Sequence, residues 1–169
     1  MIERKIVSTR ALAMRDAKSS LRTQGEGLFE GYASLFGIVD LGGDEMAPGA
    51  FRRTLERRGA PNIRMLWQHD PSMPIGTWLS IAEDGRGLKV KGRLNLAVAR
   101  AREAFALMRE GAIDGLSIGF RVKTARKAAT GGIRRLIEVD LWEVSLVTFP
   151  MLPQARVTSL KAHELQNFH

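Results

Sequence analysis

Apolar and polar positions change period several times along this chain, and each change marks an element. Residues 27–36, Gly-Leu-Phe-Glu-Gly-Tyr-Ala-Ser-Leu-Phe, are apolar and aromatic with interspersed glycine, which predicts a strand. Asp40-Leu-Gly-Gly-Asp44 interrupts the pattern as a polar turn. Between Pro48 and Gly59, Phe51 and Leu55 lie four apart behind an early proline and before a closing glycine, the signature of a short amphipathic helix. Ile63–Gln68 reads as a strand that the prolines after His69 bring to an end. Gly76–Ile81 and Leu88–Leu94 flank Glu83-Asp-Gly-Arg-Gly87, which predicts a hairpin. From Val98 to Glu110 apolar residues fall at 98, 101, 104, 105 and 108, then stop at Gly111; this is the strongest helix. Leu116–Lys123 and Arg134–Phe149 predict strands around a basic loop with Gly131-Gly132, and a last short helix is expected over Leu160–Phe168.

These elements do not alternate as a parallel α/β sheet requires. The expected fold is α+β to mainly β: a bent, mostly antiparallel β-barrel flanked by helices. A chain of 169 residues suits one domain with a substantial core, here a body over 27–158 between a basic arm (1–26) and a short tail (159–169). No apolar run reaches the length of a membrane span, and the N-terminus lacks the apolar core of a signal peptide. Cysteine is absent, which excludes a disulfide framework, a thiol nucleophile and thiolate-bound zinc. An intracellular protein is expected. The net charge of +8 favours anionic partners. The basic residues are scattered, however, without zinc-finger spacing or an RNA-binding aromatic motif. That pattern argues against specific nucleic-acid binding and for a solvated surface or salt-sensitive docking to an acidic protein.

Three residues carry candidate chemistry. His69 is the sole histidine before His163 and His169. Imidazole is the side chain whose ordinary pKa suits proton transfer near neutral pH. Ser117 sits in Gly115-Leu-Ser-Ile-Gly119, where glycines on both sides let backbone or substrate come close. Strand alternation puts Ser117, Gly119 and Arg121 on one face and Leu116, Ile118, Phe120 and Val122 on the other. Counting by twos from Val139 and Leu141 to Val147 places Glu143 on a buried face with Ser145. A carboxylate there needs a partner, and either His69 or an arginine would serve. Serine, histidine and an acid are the parts of a nucleophilic hydrolase. Asp70 reads as a turn former; Glu138 and Asp140 fall on the face opposite Glu143.

Other readings of the same residues stand beside this one. The glycine pattern around Ser117 also matches the G-x-S-x-G elbow, whose order Ser117, Asp140, His163 would satisfy. That motif needs a helix after the serine, and here the segment after Ser117 is extended. In a non-enzymatic reading, the three residues are structural in a basic, β-rich binding protein. HExxH is absent and the histidines are few, so neither metal nor cofactor is expected.

Several segments in fixed order carry a family resemblance: Gly31-Tyr-Ala-Ser-Leu-Phe36, Gly43-Asp-Glu-Met-Ala-Pro-Gly-Ala-Phe51, Gln68-His-Asp70, Pro74-Ile-Gly76, Gly87-Leu-Lys-Val90, Leu116-Ser-Ile-Gly-Phe120 and Glu143-Val-Ser-Leu-Val-Thr-Phe-Pro150. Together they resemble the prohead (procapsid maturation) serine proteases of tailed bacteriophages, distant relatives of the herpesvirus assembly protease. The resemblance implies a bent β-barrel with nucleophile and base on strands, and a body over 27–158 that is the catalytic domain. It implies a serine endopeptidase with Ser117 as nucleophile and His69 as base. Glu143 takes the third position, where the herpesvirus relatives place a second histidine. The implied substrates are scaffold, extensions of the major capsid protein, and the chain itself by self-cleavage. The implied place is the assembling procapsid in the bacterial host cytoplasm, whether of a phage, a prophage or a gene transfer agent. Dimerisation, as in the herpesvirus relatives, would make it a homo-oligomer.

Overall fold

The computed structural model describes residues 25–129 and 131–162. The expected arm up to residue 24, His163 and the last helix beyond residue 162 lie outside the described residues.

Eight strands form one strongly curled sheet: β1 (Leu28–Leu35), β2 (Asp44–Met46), β3 (Arg64–Trp67), β4 (Asp70–Glu83), β5 (Gly87–Leu94), β6 (Gly115–Lys127), β7 (Arg134–Val147) and β8 (Val157–Leu160). Two α-helices are described with it, α1 (Arg52–Arg58) and α2 (Ala99–Arg109). From β3 the sheet runs through β4, β5 and β1 to β8, all antiparallel. On the other side of β3 lies β7, the longest-reaching strand. One edge of β7 pairs with β6; its other edge pairs in parallel with β2 near its start and with β3 near its end. The curl returns on itself where Leu116 N–H donates to Ala155 O (2.9 Å) and Val157 N–H to Asp114 O (2.8 Å). Gly31 permits this approach, since a Cβ there would lie 2.9 Å from both Leu116 Cδ1 and Val157 Cα. The fold is thus the bent, mostly antiparallel barrel expected, with two parallel pairings at β7.

The inward-facing residues make one core. Phe29 meets Trp78 edge to face at 5.4 Å, and Leu88, Leu116, Leu141 and Leu146 are fully buried around them. Helix α2 buries Ala101, Ala104 and Met108, as its periodicity predicted, and lies against β4 and β5. Helix α1 is held at both ends. Glu83 accepts hydrogen bonds from Gly49 N–H and Phe51 N–H just ahead of it. The Asp140 carboxylate on β7 takes Thr54 Oγ1 (3.2 Å), Arg58 (3.1 and 3.2 Å) and Arg57. The Arg58 hydrogen bonds, with help from Thr54 and the Arg57 charge, hold the Asp140 carboxyl below its ordinary range against the opposing effect of burial. A folded pKa below the unfolded one stabilises at higher pH and is lost as pH falls through the folded value. Asp140→Ala leaves the buried Thr54 hydroxyl and the partly buried Arg58 guanidinium without their acceptor, and should cost about 2 kcal/mol in denaturant unfolding near neutral pH. The difference from the wild type should shrink in acid.

Four local expectations are corrected. Pro48 lies in the turn before α1 rather than in its first turn. Asp44, read as the end of a polar turn, instead opens strand β2. Leu160 ends strand β8 instead of starting a helix. The prolines after His69 do not end a strand: Pro71 and Pro74 lie within β4. They are tolerated because the β3–β4 register jumps there, from Leu66 opposite Pro74 to Trp67 opposite Asp70, leaving bulged residues without a ladder bond to donate.

Candidate active site

The site is built where β3, β7 and β6 lie side by side. Trp67 pairs with Asp70, so Gln68 and His69 alone connect β3 to β4. Both have positive φ, 51° and 59°, the pattern of a two-residue hairpin turn that glycine or asparagine normally fills. For other residues such a conformation costs about 1–3 kcal/mol and persists only when its surroundings impose it. Here β7 imposes it. Gln68 N–H donates to Leu146 O (2.9 Å), and His69 N–H donates to Ser145 Oγ (3.1 Å). The Gln68 carboxamide clasps Thr148, giving Nε2–H to Oγ1 (2.7 Å) and accepting Thr148 N–H at Oε1 (3.2 Å). The candidate base therefore sits on a strained turn, not on a strand.

Glu143 reaches His69 because β7 is bulged. Gly119 pairs with Glu143 but Phe120 pairs with Leu141, leaving Trp142 as the extra residue. A bulge reverses alternation. Leu141 faces the core, and beyond the bulge so do Val144 and Leu146, while Glu143 and Ser145 turn to the other face. This corrects the expectation that Glu143 shares a buried face with Leu141. The Glu143 side chain is 13% exposed and its Oε1 pairs with His69 Nδ1, whose side chain is 42% exposed. Ser145 Oγ donates to Glu143 Oε2 at 2.7 Å. On the outside of the bulge, Arg58 and Arg121 lie over the Trp142 ring at 4.4 and 5.1 Å.

An ionised carboxylate can only accept, so Nδ1 carries the proton and the Nε2 lone pair is left for another donor. The Glu143 hydrogen bond, reinforced by its charge, raises the His69 pKa above the ordinary 6.5, although partial burial pulls the other way. Ser117 lies directly across from Ser145 on β6, and Gly119 across from Glu143, so all four share one face. Ser117 and His69 line one cavity of about 250 Å³, whose remaining wall is largely apolar, with Leu35, Ile38, Phe120 and Leu152. Ser117 is buried in that wall. No Ser117–His69 hydrogen bond is formed here; such contacts commonly tighten only around substrate.

The other sequence candidates lie apart. Asp140 is occupied by α1, Glu138 meets Arg53 (3.3 Å), and Asp70 accepts from Ser72 N–H and Oγ–H as the turn former expected. Among the described residues no group of three or more His, Asp or Glu side chains could hold a metal ion. Also among them, no helix is long and apolar enough to cross a membrane. Sequence reasoning missed the Gln68–Thr148 clasp and the work of Ser145. The spacing of apolar residues at 141, 144 and 146 held the signal for the bulge, since it breaks the period of two.

Known proteins share this arrangement of segments. The family model described as Caudovirus prohead serine protease matches residues 13–169. The prohead protease of Enterobacteria phage HK97 is 37% identical over 140 residues, which are 81% of this chain and 61% of that protein. The capsid polyprotein of Pseudomonas phage PAJU2 is 29% identical over 125 residues, 69% of this chain and 19% of the polyprotein. The chain therefore spans less than two thirds of either relative. Among solved structures, the capsid assembly protease of bacteriophage T4 shares the fold, with a TM-score of 0.57 at 14% identity over 71% of this chain and 80% of that one.

Proposed function

The chain belongs to the caudovirus prohead serine protease family, and from that membership we propose that it is a serine endopeptidase trimming scaffold and capsid-protein extensions inside an assembling procapsid. The observation that carries this reading is the one cavity shared by Ser117 and a histidine whose Nδ1 is already held by a carboxylate. Ser117 Oγ attacks the scissile carbonyl carbon while His69 Nε2 accepts its proton. The imidazolium formed is stabilised by Glu143, then gives the proton to the leaving amine. The acyl-enzyme left on Ser117 is hydrolysed by water, activated by the same nitrogen. The apolar cavity wall suits an apolar substrate side chain beside the scissile bond. The names of the HK97 and PAJU2 relatives support capsid protein as the substrate, and the chain itself is a second one by self-cleavage.

The test is co-expression with the cognate major capsid protein, following capsid-protein mass. The wild type should remove a defined N-terminal segment, and Ser117→Ala should leave the capsid protein whole. Processing that survives in Ser117→Ala would remove Ser117 as nucleophile. Assembled shells left unprocessed by both proteins would favour a structural assembly role.

A further inference from the structure

Glu143 has no covalent reason to point at His69. Its side chain has three rotatable bonds, and in a strand it would ordinarily extend into solvent. Two neighbours restrict it. Ser145, fully buried two residues along β7, donates Oγ–H to Glu143 Oε2 and accepts His69 N–H on the same oxygen. One hydroxyl thus ties the acid and the base's backbone to a common point. Across the strand pair, Gly119 leaves the space that the carboxylate occupies. A Cβ at Gly119 would lie 2.8 Å from Glu143 Cγ and Cδ, and closer still to Oε1. The glycine is not required by its own backbone: its φ is ordinary for a strand, in contrast with the turn glycines Gly43 and Gly59. What it lacks is volume, in the direction of the carboxylate.

We propose that Gly119 and Ser145 are positioning residues for Glu143, Gly119 by the missing Cβ and Ser145 by the hydroxyl that holds the second carboxylate oxygen. The inference rests on the reading of Glu143 as the group that orients His69. Neither residue touches the reacting atoms; Gly119 acts through the carboxylate, and Ser145 through the carboxylate and the His69 N–H. With Oε2 held, Oε1 has one direction left, toward Nδ1. The Trp142 bulge completes the arrangement by turning Glu143 to this face. A 1 Å displacement of such a group is enough to cost about 100-fold in rate.

The test follows the His69 imidazole by NMR titration of the full chain with labelled histidine, its signal assigned by loss in His69→Asn. Gly119→Ala and Ser145→Ala should each bring the His69 pKa down toward its ordinary value, near that of Glu143→Ala. In a Glu143→Ala background neither should lower it further, because the carboxylate they act on is gone. Capsid-protein cleavage should fall about 100-fold in each single variant. If Gly119→Ala fails to fold, Gly119→Ala/Glu143→Ala should recover, since the second change vacates the contested space. An unmoved His69 titration alongside a lowered melting temperature would overturn the proposal, as would an equal Gly119→Ala effect with and without Glu143. The titration needs no substrate. A protein that cleaves no capsid protein but titrates as expected would defeat the function proposed above and leave the positioning intact.

Discussion

His69→Asn is expected to slow capsid-protein cleavage on the order of 10⁶-fold, about as far as Ser117→Ala, with the double variant little slower than either. Asparagine is the informative replacement because it tolerates the left-handed conformation that residue 69 adopts, whereas alanine would also disturb the turn. The two residues serve one proton transfer, so removing either removes it entirely. The double variant is the decisive comparison. If it fell far below both singles, the base and the hydroxyl would be acting in separate steps.

Glu143→Gln should slow cleavage about 10⁴-fold and move its pH dependence. A carboxamide can turn its N–H₂ toward Nδ1, which selects the tautomer with the proton on Nε2 and blocks it as a base. The neutral imidazole is the reactive form, and Glu143 raises the His69 pKa above 6.5. The acid limb of the wild-type rate should therefore lie above that of an ordinary histidine, and residual activity of the variant should appear at lower pH. Stability runs in the opposite sense. The folded His69 pKa exceeds the unfolded one, so the pair stabilises fully below the unfolded value and loses that contribution as pH rises through the folded value. Melting temperatures of wild type and variant should differ most below the unfolded histidine value and converge as pH rises through the folded one. A gap that widened with pH would place the proton elsewhere.

The sheet was legible where alternation was clean and illegible where it was broken. The patterns of β5 and α2 are uninterrupted, and their limits agree within a residue with the strand and helix read from apolar spacing. At 69–74 proline was read as punctuation, because a ladder position normally cannot spare its N–H. A strand with bulged pairing can, and β4 is such a strand. Ser117, His69 and Glu143 stood out chemically, as a hydroxyl between glycines, a lone imidazole and a carboxylate in an apolar run. Their meeting could not be counted out along the chain. It depends on β3 and β7 lying parallel, a long-range feature that arithmetic on one strand does not contain, and on one extra residue at Trp142, which breaks the period of two within β7. The same arithmetic assigned Glu143 the wrong face and left its partner open between His69 and an arginine.

Strand β7 lies between β6 and β3 yet follows both in the chain. Residues 69 and 117 leave the ribosome well before residues 143–148. Until β7 inserts between β3 and β6, the hairpin turn lacks Leu146, Ser145 and Thr148 to hold it, and the imidazole lacks its carboxylate. Ser117 and His69 also lack the strand that joins β6 to β3. A nascent chain thus presents Ser117 and His69 before it has made the strand that assembles them into a site. On the proposed chemistry, a chain that has not yet completed β7 is inert.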